Sequence, residues 1–369
     1  MGIRDGFGLT SNVRGVGVVL VLLLLATRIQ VSEAATVPLG LPEPPPGKTH
    51  SPELALLGHR LFEDRRLSAD GAVSCASCHV PDRHFADARP TASARPGSVL
   101  TRHTPSLLNV RYERTLFWEG RVTELAAQAT VPLLGPAEHG FADPEALARV
   151  VRADSAYAEA FQRLLGVGRA TVGINEVTAA LAAYEETLVA GDSPFDRYEY
   201  GAEPSALSPA AIRGLALFRG RAQCASCHLI GEESALFSDQ DFHATPLRLS
   251  DTTLAKLGEL TSRVKALRER GAERALNALI ASDANIAALG RYVVTLDPKD
   301  IGRFKTPSLR NIAYTGPYMH DGSVPSLPQA IELELYSRST QRYPLVLTED
   351  ERGDILQFLL SLSSPQSSP

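Results

Sequence analysis

Apolar residues along this chain recur mostly at three- and four-residue steps, and strict alternation is scarce, a pattern that predicts helices rather than strands. Helical periodicity runs through residues 52–65, 123–130, 144–165, 175–190, 210–219 and 348–362. Leu254, Leu257, Leu260, Val264 and Leu267 carry it across 254–280 as the apolar stripe of an amphipathic helix. The stretches between are rich in Gly, Pro, Ser and Asp and read as long loops. The clearest of them, 191–207, marks a boundary between two domains. The fold expected is mainly α.

The N-terminus departs from this pattern. Arg14 precedes the apolar run from Gly15 to Ala26, and Ser32-Glu33-Ala34 follows as a small-x-small site suited to cleavage. Residues 1–35 therefore read as a signal peptide, with an uncleaved anchor as the alternative, although the run is short for a membrane span. Export to the periplasm is expected, with no integral membrane segment left after processing. Residues 36–48 hold five prolines and read as an extended lead-in.

All four cysteines lie in two copies of one pentapeptide, Cys75-Ala-Ser-Cys78-His79 and Cys224-Ala-Ser-Cys227-His228. C-x-x-C-H is the attachment signature of a c-type haem: two thiols add to the vinyl groups and the adjoining imidazole ligates the iron. Two disulfides would leave the His after each second Cys unexplained, and so would a four-thiolate zinc site. Two covalently bound haems follow.

The motifs sit inside longer echoes. Leu61-Phe62 precedes the first and Leu217-Phe218 the second. Downstream, Thr104-Pro-Ser-Leu-Leu-Asn109-Val-Arg-Tyr112 resembles Thr306-Pro-Ser-Leu-Arg-Asn311-Ile-Ala-Tyr314. In the same register Trp118-Glu-Gly120 meets His320-Asp-Gly322. This predicts two cytochrome-c-like haem domains from an internal duplication, over 49–200 and 201–365, each wrapped in long loops around its haem. The second half holds an insertion between His228 and Thr306.

The net charge is −5, with 44% hydrophobic and 21% charged residues and no basic stripe, which excludes a nucleic-acid partner. The chain has two methionines, Met1 and Met319, so a His/Met ligand pair at the first haem is excluded and Met319 reads as packing.

Phe117-Trp118-Glu119-Gly120-Arg121, followed by Gln128, Pro132 and Glu138, resembles the bacterial dihaem cytochrome c peroxidase and MauG superfamily; so does Gly316-Pro-Tyr-Met-His320-Asp321-Gly322. The likeness implies that His79 ligates a peroxidatic haem and His228 an electron-handling one. Trp118 would lie between them, and Gln128, Pro132 and Glu138 would form the catalytic pocket. A buried carboxylate there can take a proton from one peroxide oxygen and return it to the other; a lone Glu in such a loop would otherwise be solvated, as is expected of its neighbour His139. Around 92–97, where classical members carry a capping His, this chain has Arg95, so an open first iron is expected. The second iron's distal ligand falls on Glu334 or, with a two-residue shift, on Tyr336, the expected choice. His320 is read as a propionate contact. A calcium ion between the haems is implied, but its usual Asn is His103 here.

Three functions compete. An exported peroxidase would reduce hydrogen peroxide with electrons from a small cytochrome or cupredoxin. A MauG-like enzyme would oxidise a protein substrate through a high-valent iron state. A pure electron carrier would keep both irons six-coordinate. The likeness also leaves room for a homodimer.

Overall fold

The computed structural model describes residues 37–46, 51–95, 97–339 and 344–365. The leader expected at 1–35 lies outside them.

Local chemistry sets the helix limits. Helix α1 (Pro52–Glu63) starts with proline at its first position, and the Ser51 side chain accepts from Leu54 N–H. Helix α2 (Leu125–Leu134) runs past its predicted end and contains Pro132. The single helix expected at 144–165 is two, α3 (Pro144–Ala153) and α4 (Ser155–Leu165). Asp154 stands extended between them and its carboxylate caps the N–H groups of Ala156 and Tyr157. Then come α5 (Ile174–Glu185), α6 (Pro194–Glu199) and α7 (Pro209–Arg219). The stretch 254–280 spans α8 (Asp251–Ala255), α9 (Leu257–Glu269) and α10 (Glu273–Ser282), with left-handed Gly271 closing α9. Short α11 (Ala284–Ala288) and α12 (Tyr292–Thr295) follow.

Helix α13 (Leu327–Arg338) was hidden in the pattern, because Ile331-Glu-Leu-Glu-Leu335 alternates as a strand would. It buries Leu327, Ala330, Ile331 and Leu335, which are helical neighbours. Helix α14 (Glu349–Leu360) ends the described fold. Among the described residues the one sheet is an antiparallel pair, β1 (Phe242–Ala244) and β2 (Arg303–Lys305), with Phe242 opposite Lys305.

One buried cluster draws its residues from Leu54 to Leu188, and another from Phe195 to Leu362. A third, from Leu260 to Val293, packs the insertion on itself. The first two are each centred on a close helix crossing. A Cβ on Gly58 of α1 would lie 1.9 Å from the Ala180 carbonyl of α5, and one on Gly214 of α7 would lie 1.9 Å from the Asp354 carbonyl of α14. Only glycine lets the backbones meet. Asn109 and Asn311, both left-handed, clamp the chain beyond these pairs: Asn109 bonds both ways with Ala190, and Asn311 Oδ1 accepts from Ser364 N–H at 2.9 Å.

The lead-in has no regular structure over 37–46, yet it is docked. Gly40 carbonyl accepts from Arg310 Nη2 at 2.6 Å, and Arg310 pairs through both outer nitrogens with Asp196 at 2.8 Å, fully buried.

Candidate functional site

Each Cys-x-x-Cys-His motif forms a single 3₁₀ turn: Cys75–Ser77 follows α1 after an intervening turn at Arg65–Leu67, and Cys224–Ser226 follows shortly after α7. The amide of His79 donates to Cys75 carbonyl at 2.9 Å and that of His228 to Cys224 carbonyl at 3.0 Å, closing the backbone turn between each first Cys and its His. None of the four cysteines is in a disulfide. Burial pushes the Cys78 and Cys224 thiols up to about 11, so they stay protonated.

His79 Nδ1 lies 3.1 Å from Phe85 carbonyl, and His228 Nδ1 lies 2.9 Å from Phe237 carbonyl. A carbonyl only accepts, so each Nδ1 carries the proton and each Nε2 keeps its lone pair for a metal. Burial pulls both imidazoles down to about 4, which keeps them neutral at pH 7.

Both motifs open onto one cavity of about 480 Å³. Gln128 and Pro132, one turn apart on α2, line it together with Glu138. The carboxylate of Glu138 folds back over Gly135, where a Cβ would lie 2.5 Å from its Oε2. Burial raises the Glu138 pKa, and the Arg121 guanidinium partly opposes that rise.

Trp118 also lines the cavity, and its Nε1–H donates to His103 carbonyl at 2.9 Å. His320 lines it too, stacked on Phe304 with ring centroids 3.7 Å apart. Arg102, which the sequence did not single out, and Arg121, to which it gave no role, stand in the same wall beside the buried Glu119, which forms an ion pair with each. Burial pulls both guanidinium groups down to about 9. Arg102 Nε, Arg121 Nε and His320 Nδ1 are buried without a hydrogen-bond partner. Two guanidinium groups against the one Glu119 carboxylate, with the neutral His320 imidazole beside them, leave donors of the kind that the propionate carboxylates of a haem require. Thiols, imidazoles and propionate donors thus fit two c-type haems. Glu185 was missed as well: it ends α5, lines the cavity and is pushed up to about 8 by burial and by Glu186. Only tertiary packing encloses it.

Two expectations are corrected here. Tyr336 is 75% exposed and lies outside the cavity wall, whereas Glu334 and Met319 line it. Two residues on a helix are about 200° apart, so only one of positions 334 and 336 faces inward. His139 is buried rather than at the surface, with Nδ1 2.6 Å from Leu67 carbonyl. The His103 ring, which stands where the family's Asn would be, has Nδ1 and Nε2 each 3.1 Å from a carbonyl, those of Arg89 and Thr315.

The model of the family described as di-haem cytochrome c peroxidase matches residues 52–204. The chain is 35% identical over 332 residues to the cytochrome-c peroxidase IdrP1 of Pseudomonas sp. (strain SCT), spanning 87% of this chain and 84% of that protein. It is 35% identical over 320 residues to the methylamine utilization protein MauG of Methylorubrum extorquens, spanning 85% and 79%. A crystal structure of a MauG-like protein associated with microbial copper homeostasis matches with TM-score 0.68 at 30% identity, over 89% of this chain and 95% of that one.

Proposed function

Because the chain belongs to the di-haem cytochrome c peroxidase family, we propose that it reduces hydrogen peroxide at the His79 site, with electrons entering at the His228 site from a small cytochrome or cupredoxin. The observation that carries this is Glu138, a buried carboxylate with a raised pKa on the wall of the cavity that His79 faces.

Haem held at Cys75 and Cys78, and again at Cys224 and Cys227, supplies redox-active iron. The chain's own residues supply the rest. Glu138 takes a proton from one peroxide oxygen and returns it to the departing one, so that two electrons and two protons convert peroxide to two waters. The Gln128 carboxamide orients the peroxide, and Pro132, lacking an N–H, adds no competing donor. Trp118 offers an aromatic ring for electrons between the two sites. Arg102, Arg121 and His320 hold propionates. At the second iron, Glu334 is the side chain offered in place of Tyr336.

We assign residues 49–200 and 201–365 to the two haem domains, related by duplication, and residues 1–35 to a leader that sends the chain to the periplasm. Among the described residues no helix is long and apolar enough to cross a membrane.

A second reading, oxidation of a residue on a partner protein as the MauG relatives suggest, is favoured by one observation. Arg95 stands where a capping His would be and is engaged with Asp70 at 2.9 Å, so no imidazole from that position closes the first site. Spectra of the ferric protein test both readings: one high-spin and one low-spin haem are expected, and two low-spin haems inert to peroxide would overturn both. Steady turnover with a reduced small cytochrome then supports the peroxidase; a long-lived oxidised state with poor turnover supports the modifying enzyme.

A further inference from the structure

The first haem motif meets the surface through a stacked imidazole and phenol that have no counterpart at the second. The Phe85 carbonyl that accepts from His79 Nδ1 belongs to a tight loop: Phe85 N–H donates to Val80 carbonyl at 2.9 Å and Val80 N–H to Ala86 carbonyl at 3.2 Å. Both His84 and Phe85 are left-handed, with φ of 54° and 57°. For side-chain-bearing residues that conformation has an energetic cost and persists only where the surroundings impose it. Here Ser106 Oγ–H donates to His84 carbonyl at 2.6 Å, and the His84 ring lies flat on Tyr314, with centroids 4.2 Å apart and planes 10° apart. Tyr314 is 54% exposed.

The second motif repeats the clamp with Leu236 in place of the His84 imidazole, and the Phe237 ring packs edge-on against Phe195. His228 bonds to Phe237 carbonyl, the preceding residue is Leu236, and Ser308 Oγ–H donates to Leu236 carbonyl at 2.8 Å. Tyr112, the sequence counterpart of Tyr314, is buried. A flat imidazole–phenol stack therefore joins the first site to an exposed tyrosine and is not repeated at the second, where edge-on phenylalanines lead to the half-buried Tyr200.

We propose that Tyr314 is a surface oxidation site wired to the His79 centre through His84 and Phe85, serving phenolic one-electron reductants. This rests on the peroxide reading above. Peroxide is the oxidant. Tyr314 gives one electron inward and its phenolic proton to solvent, and the resulting phenoxyl takes a hydrogen atom from the reductant, a transfer between like groups that separates no charge. Two such cycles consume one peroxide and give two waters and two substrate phenoxyls.

Haem-loaded protein is treated with peroxide and a nitroso spin trap, and the adducts are mapped by peptide mass spectrometry. The expected adduct is on Tyr314 and not on Tyr336, which at 75% exposure is the more accessible of the two and has no such route. Tyr314→Phe abolishes the adduct and guaiacol oxidation but keeps the peroxide-induced change in haem absorption. His84→Asn, which tolerates the left-handed backbone, lowers the adduct with Tyr314 still present. Labelling of Tyr336 equal to that of Tyr314, or full labelling in His84→Asn, would overturn the inference while leaving the peroxide reading intact. Absence of any peroxide-induced change in wild-type absorption would sink the peroxide reading itself, and this inference with it.

Discussion

The Trp118 indole N–H donates to the carbonyl of His103 at 2.9 Å, and the His103 amide in turn donates to His320 carbonyl at 3.0 Å. The chain's single tryptophan is thereby fixed to a backbone that joins both halves, since the His103 ring faces Arg89 carbonyl on one side and Thr315 carbonyl on the other.

Trp118→Phe keeps an aromatic ring but leaves the His103 carbonyl without its donor, at a cost of about 1–3 kcal/mol. In stopped-flow experiments with a reduced cytochrome, reduction of the second haem is expected at the wild-type rate and that of the first is expected to be slowed. Equal rates for both haems would rule out the indole as the electron bridge.

Glu138→Gln should lower the rate of peroxide reduction by about 10²–10⁴-fold with both haems attached. The carboxylate acts as a base, so wild-type activity falls as pH drops through its pKa, which burial has raised above the ordinary carboxyl value. The Gln variant should show no such limb in its pH–rate profile.

At the second iron the two candidates separate cleanly. Tyr336→Phe is expected to leave the absorption and paramagnetic resonance spectra unchanged, because the phenol faces solvent. Glu334→Ala should alter the spectrum of one haem only. A shift in the Tyr336 variant would reverse the assignment.

Asp196→Ala leaves Arg310 buried and unpaired beneath the lead-in. Losing one partner of a buried pair costs about 3–5 kcal/mol, which a denaturant melt would register as a lower midpoint. A midpoint close to wild type would show that the lead-in is not held this way.

Glu185 makes stability depend on pH. Its folded pKa of about 8 lies above the ordinary carboxyl value of 4.5, through burial and then Glu186. Below 4.5 the group is protonated folded or unfolded. As pH rises from there to about 8 the unfolded chain loses a proton the folded chain keeps, so stability falls and then levels off. Glu185→Gln should flatten that slope in thermal melts taken across the window.

The residues assigned to the haems, Cys75, Cys78, His79, Cys224, Cys227 and His228, could be picked out in the chain because their chemistry is local: a thiol pair and an imidazole need only one turn of backbone. The mainly helical character was legible too, since burying one face imposes a short-range period, although α13 escaped it by alternating. Orientation was not legible. Whether position 334 or 336 faces the iron turns on helix rotation, and helix rotation is set by α13 packing against its neighbours. The burial of Glu185, Arg102 and Arg121 and the stacking of His84 on Tyr314 join segments far apart in the chain. Desolvation and ring contact are properties of the space between such segments, and only the tertiary structure creates that space.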